Sequence, residues 1–217
     1  MKKILFSLAL FLAIVCINCE GIYALDPPRE PILAIETGMH SSAIKRIATD
    51  RENNYLVSAS TDKTLRVWDL GSGRLLKIIR PPIGPGEEGK LYAVAITPDG
   101  KTIACAGWTG WDWDGKAYIY FFDRESGQLL GRVYGLPNIV DHLVYSRDGR
   151  YLVATMGRNF GMQVFQAPDY RYVAGDGDYG SDAYGADFDQ KGRLVTVSYD
   201  GFVRLYDSSF RLIAKKR

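Results

Sequence analysis

Few residues in this 217-residue chain have the types and spacing for reaction chemistry. There are two histidines: His40 lies ahead of Asp62, and His142 directly follows Asp141. A His–Asp pair is half of an acid–base arrangement, but no Gly-x-Ser-x-Gly elbow occurs and His142 has no Ser or Cys nucleophile motif nearby. No catalytic residue is assigned. Asp176, Asp178 and Asp182, with Asp187 beyond them, loosely resemble a calcium loop. Ser181 stands where such a loop needs glycine and no closing glutamate follows, so the segment reads as a solvated turn and no metal or cofactor is assigned. Three tryptophans, Trp108, Trp111 and Trp113, alternate with Asp112 and Asp114. Exposed, such side chains anchor protein partners or stack on sugars; folded down, they cap neighbouring strands. The sequence leaves both roles open.

Composition removes other classes. Hydrophobic residues make up 47% and the formal net charge is +2, which excludes a strongly basic nucleic-acid binder and an acidic disordered tail. The terminal Lys215-Lys216-Arg217 is too short to argue for nucleic acid. Lys2 and Lys3 precede an uncharged, mostly apolar run from Ile4 to Ile17, the pattern of a helical secretory signal peptide cleaved after Ala24. That run is shorter than the roughly 20 residues of a spanning helix, so no membrane span is expected after cleavage, and the mature chain would be secreted or periplasmic. Cleavage removes Cys16 and Cys19 and leaves Cys105 alone in the apolar stretch Thr102–Gly107, where packing is its expected role.

The elements that position these residues come from self-similarity. Four turns, Arg51-Glu52-Asn53-Asn54, Pro98-Asp99-Gly100-Lys101, Arg147-Asp148-Gly149-Arg150 and Gln190-Lys191-Gly192-Arg193, are each followed at once by a β-type run. Glycine at the third position supplies a positive φ, and Asn53 is the best substitute for it. Each unit has a third strand ending in a matching pattern: Val67-Trp68-Asp69, Phe121-Phe122-Asp123, Val164-Phe165-Gln166 and Leu205-Tyr206-Asp207, spaced by 54, 43 and 41 residues. A fourth strand follows, as in Leu75–Ile79 and Leu129–Val133. Four short strands per repeat of about 40–45 residues make the blade of a β-propeller.

These repeats resemble the WD-repeat family from about Ile32 to the end of the chain, the first repeat most fully. The resemblance implies an all-β propeller of four four-stranded blades after the leader. Residues 1–24 are the signal peptide, 25–39 an N-terminal segment with one strand, and 40–80, 81–135, 136–178 and 179–217 the blades. It also implies a structural hydrogen-bonded chain of His40, a strand serine (Ser58 or Ser60), Asp62 and Trp68. Its fourth-repeat counterpart keeps Asp200 and Tyr206 but lacks the histidine. His40 with Asp62 is therefore not read as a catalytic dyad.

In a propeller, the loops between second and third strands share one face with the crossovers between blades. The long segments 80–89, 107–115, 156–161 and 175–182 all fall in this set. They make Trp108, Trp111, Asp112, Trp113, Asp114, Arg158, Phe160, Asp178 and Tyr179 candidate contact residues for a partner or ligand. The leading expectation is a non-enzymatic scaffold that binds other proteins. The resemblance also admits an N-terminal portion of a larger secreted bacterial protein with a caspase-like peptidase domain, and a third reading is a sugar- or calcium-dependent binding module. Four units suggest an open or partial propeller, completed by missing blades or a second copy.

Overall fold

The computed structural model describes residues 37–217; the signal peptide and the strand expected in the N-terminal segment, at residues 31–35, lie outside the described residues. Among the described residues, sixteen strands form four antiparallel sheets, each with its strands in sequence order. Blade 1 holds β1 (Ile44–Thr49), β2 (Tyr55–Ser60), β3 (Leu65–Asp69) and β4 (Leu75–Ile79). Blade 2 holds β5 (Lys90–Ile96), β6 (Thr102–Trp108), β7 (Ala117–Asp123) and β8 (Leu129–Leu136), with a helical turn α1 (Trp111–Asp114) between β6 and β7. Blade 3 holds β9 (Val140–Tyr145), β10 (Tyr151–Met156), β11 (Met162–Gln166) and β12 (Arg171–Asp176). Blade 4 holds β13 (Ala183–Phe188), β14 (Leu194–Ser198), β15 (Val203–Tyr206) and β16 (Leu212–Lys216). The described residues form an all-β propeller of four blades.

Local chemistry sets the hairpins. At the four first turns, Asn53, Gly100, Gly149 and Gly192 all take a left-handed backbone, with φ between 56° and 75°. The aspartate that ends the third strand holds the next turn. Asp69 Oδ1 accepts the Ser72 amide at 2.7 Å and its hydroxyl at 2.6 Å, and Asp123 does the same for Ser126 at the same distances. Asp207 accepts the amides of Ser209 and Arg211, both at 2.9 Å. The carboxylate satisfies turn amides that strand pairing leaves free.

Packing runs between blades. Val57, Ala59, Leu65 and Val67 of blade 1 meet Leu91, Val94, Ile103 and Tyr118 of blade 2. Ala104, Ile119 and Phe121 of blade 2 meet Leu143, Leu152 and Phe165 of blade 3. Val153, Met162 and Val164 of blade 3 meet Ala183, Phe188, Leu194 and Tyr206 of blade 4. Cys105 is fully buried in the first of these cores, and burial pushes its thiol above the range in which it would react as thiolate. Among the described residues, no buried core joins blade 4 to blade 1.

Candidate functional site

Blade 1 builds a closed polar chain. His40 Nδ1–H donates to Asp62 Oδ2 at 2.8 Å, which leaves Nε2 to accept from the Ser58 hydroxyl at 2.8 Å. The Trp68 indole N–H donates to that same Ser58 oxygen at 2.9 Å. Burial acts to raise the Asp62 carboxyl, but hydrogen bonds from Thr64, His40 and the Ser41 amide outweigh it and hold it below the usual range. The order Ser–His–Asp resembles a nucleophile triad, yet Ser58 is only 3% exposed and its oxygen is occupied by the indole. Each member satisfies the next, so the chain locks strands together.

Blade 4 rebuilds this chain with other residues. Asp200 and Tyr206 stand where Asp62 and Trp68 do, and Thr196 replaces Ser58. The missing histidine is replaced by Tyr179, whose hydroxyl bonds Thr196 Oγ1 at 2.6 Å and the Tyr206 hydroxyl at 2.9 Å. Tyr206 donates to Asp176 Oδ2 at 2.7 Å. Arg204, with no solvent exposure, pairs with Asp200 at 2.6 Å and lies 3.9 Å over the Tyr179 ring. The expected surface role of Tyr179 is therefore corrected: it is 4% exposed and belongs to the blade 3–4 core.

The tryptophan segment divides in two. Trp113 packs on the blade 1–2 core, edge-on to Tyr118, and Asp114 accepts the Tyr118 hydroxyl at 2.5 Å. Both remain partly exposed, so this packing holds them in place at the edge of the core. Trp108 and Trp111 are half-buried, their rings tilted 5.7 Å apart, and Asp112 is exposed beside them. Both ends of α1 are set by left-handed glycines, Gly110 and Gly115. A residue outside every motif anchors the turn: Glu88, fully buried, accepts the amides of Gly110 at 2.6 Å and Asp112 at 3.0 Å. Burial raises its pKa while those amides act against the rise.

Arg158 and Phe160 are exposed on the blade 3 loop, and Asp178 is exposed and paired with Lys215 at 2.8 Å. The four aspartates of the calcium-like stretch go separate ways. Asp176 takes the Asp178 amide and Tyr206, Asp182 takes the Arg158 amide, and Asp187 takes the Phe188 amide. No group of three metal-ligating side chains occurs among the described residues.

The four innermost strands share a feature that sequence periodicity hides. Each carries a β-bulge near its start, between Ile44 and Arg46, Leu91 and Ala93, Val140 and His142, and Ala183 and Gly185. The surplus residues are Lys45, Tyr92, Asp141 and Tyr184. Bulges re-aim side chains where strand pairing would otherwise fix them. These strands start from the crossovers, so all four lie on the face that carries α1. Lys45 Nζ sits 5.8 Å from the Tyr92 ring centre, Arg46 donates to the Tyr184 carbonyl across the molecule, and Tyr184 stacks on exposed Tyr199 at 4.3 Å. Toward the opposite end, the inner strands border an open cleft of about 970 Å³ lined by residues such as Arg51, Val94, His142, Arg147 and Asp187.

Two neighbours in β9, Asp141 at the bulge and His142 lining the cleft, titrate in opposite directions. Burial, then the Asp182 charge, raises the Asp141 carboxyl to about 6, whereas burial, then the Arg46 charge, lowers His142 to about 4. His142 Nδ1 accepts the Ala186 amide at 3.0 Å, which fits the neutral ring. A raised carboxyl binds its proton more tightly folded than unfolded, so Asp141 withdraws stability as pH rises from about 4 through 6. A lowered imidazole contributes stability above pH 6.5 that is lost as pH falls toward 4. Asp141→Asn is expected to stabilise the protein at pH 7.5 by about 1–2 kcal/mol after allowance for its partial exposure, and by far less at pH 4. Urea melts at both pH values check this; an equal gain at both refutes the raised carboxyl.

The WD domain, G-beta repeat family matches residues 35–69. WD repeat-containing protein 1 of Bos taurus is 26% identical over 155 residues, 70% of this chain and 24% of that protein. WD repeat and SOCS box-containing protein 1 of Danio rerio is 37% identical over 76 residues, 35% of this chain and 15% of that protein. The chain thus spans a quarter or less of these relatives. Among solved structures, Kuenenia stuttgartiensis hydrazine synthase shares the fold with a TM-score of 0.65 at 14% identity, over 84% of this chain and 52% of that one. The blade 1 hydrogen-bonded chain of His40, Ser58, Asp62 and Trp68 falls within the matched residues 35–69, and the other three blades repeat its strand pattern: blade 1 carries a WD repeat, and the chain is similar to WD-repeat proteins.

Proposed function

We propose that the chain is a non-enzymatic scaffold that docks other proteins on the crossover face, at the rim of bulged residues and the Trp108–Trp111 ledge beside it. The observation that carries this reading is the repeated bulge, which sets Lys45, Tyr92, Asp141 and Tyr184 at one level of four different blades. Half-buried aromatics on a rigid backbone lose little conformational freedom on binding and bury large area, the profile of an interface anchor. Arg158, Phe160 and Asp112 widen the same face with mixed charge. The basic and apolar leader supports work in the periplasm or outside the cell.

The test is capture from envelope extracts by the wild-type chain and by Trp111→Ala and Tyr92→Ala variants. An outer-strand variant, Tyr172→Ala, serves as control because that side chain is exposed away from the rim. Loss of an anchor is expected to weaken partner binding by tenfold or more, corresponding to hot-spot energies of about 2 kcal/mol. Equal recovery by all four proteins removes the rim from the account.

A further inference from the structure

Aligning the four blades on their bulges isolates blade 1. Its inner-strand residue Ile44 matches Leu91, Val140 and Ala183, each fully buried, yet Ile44 is 53% exposed. Ile47 matches Val94, Leu143 and Ala186, all at most 8% exposed, yet Ile47 is 62% exposed. Aligning the third strands isolates blade 4 on its opposite face. Val203 matches Leu65, Ile119 and Met162, at most 1% exposed, and is itself 46% exposed. Leu205, Val195 and Val197 continue that face, half-buried.

The two open faces are complements. At each of the three internal junctions, the third-strand face of one blade covers the inner-strand face of the next. Blade 4 presents the covering face and blade 1 the covered face, each apolar and each without a partner blade among the described residues. We propose that a second copy of this chain occupies them, blade 4 of one copy packing head to tail on blade 1 of the other. This contact continues a junction already made three times within the molecule, so both halves of its chemistry are present in every copy. A head-to-tail contact of this kind is heterologous and closes into a ring or extends, according to the rotation it imposes. The proposal does not depend on the docking rim, which lies on a different surface.

The experiment is the solution mass of the full chain by sedimentation and native mass spectrometry, for wild type, Ile47→Glu and Val203→Glu. Wild type is expected to contain two or more copies, and each variant to dissociate at least tenfold more readily. Mixing the two variants is expected to restore a two-copy species, because the unaltered blade 4 face of Ile47→Glu meets the unaltered blade 1 face of Val203→Glu. Head-to-head dimers show no such rescue. A monomeric wild type at tens of micromolar overturns the proposal, whether Ile47 and Val203 prove solvent-accessible or covered by the same polypeptide on hydroxyl-radical footprinting. Should either variant fail to fold by circular dichroism, the wild-type mass decides alone.

Discussion

Replacing Arg204 with alanine is expected to destabilise the protein by about 3–5 kcal/mol, as when one member of a buried ion pair is removed. The guanidinium has no solvent exposure and binds Asp200 at 2.6 Å, Ser198 Oγ at 2.9 Å and the Asp178 carbonyl at 2.6 Å while lying over Tyr179. Truncation leaves the Asp200 carboxylate, whose side chain is 10% exposed, without its cation and opens a void beside a packed ring. Hydrogen bonds from Arg204 first, then from Ser198 and the Gly180 and Phe202 amides, overcome burial and hold Asp200 well below the usual carboxylate range. Its contribution is therefore complete above the unfolded value near 3.8 and is lost as pH falls below it. Arg193→Ala removes a comparable pair with Asp189, but there the side chains are 41% and 28% exposed, and the expected cost is below about 1 kcal/mol. Urea denaturation of both variants at pH 7 separates the cases. Equal losses from the two sites refute the special status of Arg204.

Arg204 also marks the limit of what a sequence reading can reach. Turns were legible because they depend on one residue's backbone preference: Asn53 and three glycines at matching positions announced left-handed geometry, and the structure has it. The aromatic–aspartate endings were legible because they recur, and each carboxylate caps a turn three residues on or close to it. The exchange of histidine for Tyr179 was not legible, since a tyrosine in a Gly- and Asp-rich crossover reads as surface until its hydroxyl is found on Thr196 and Tyr206. Glu88 escaped for the same reason: its partners are backbone amides, which no side-chain pattern encodes. Trp108, Trp111 and Trp113 look alike in sequence, and only the fold shows Trp113 packed on the blade 1–2 core while Trp108 and Trp111 pair with each other. The bulges were hidden because one inserted residue shifts the alternation of a short strand without any compositional mark.

One bulge can be tested through the residue opposite it. Gly107 pairs with Leu91 where the β5 bulge begins, and a Cβ there would lie 2.3 Å from the Lys90 carbonyl oxygen and 2.7 Å from the Tyr92 nitrogen. Both are backbone atoms, so no rotamer change relieves the overlap, and the strand itself must move. Gly107→Ala is expected to cost about 3 kcal/mol, at the upper end of ordinary overpacking. Because the displaced atoms flank Tyr92, the same substitution re-aims that side chain, and rim binding should weaken along with stability. Gly131→Ala is the matched control: its Cβ meets nothing within 4 Å, and its backbone does not lie in the left-handed region. There the loss of unfolded-state freedom should leave stability unchanged or raised by about 0.4–1 kcal/mol. Urea midpoints for the pair, with a partner-capture assay on each, read both consequences. If Gly107→Ala proves as silent as Gly131→Ala, the close approach of β6 to the bulge is wrong, and with it the placement of Tyr92 on the rim.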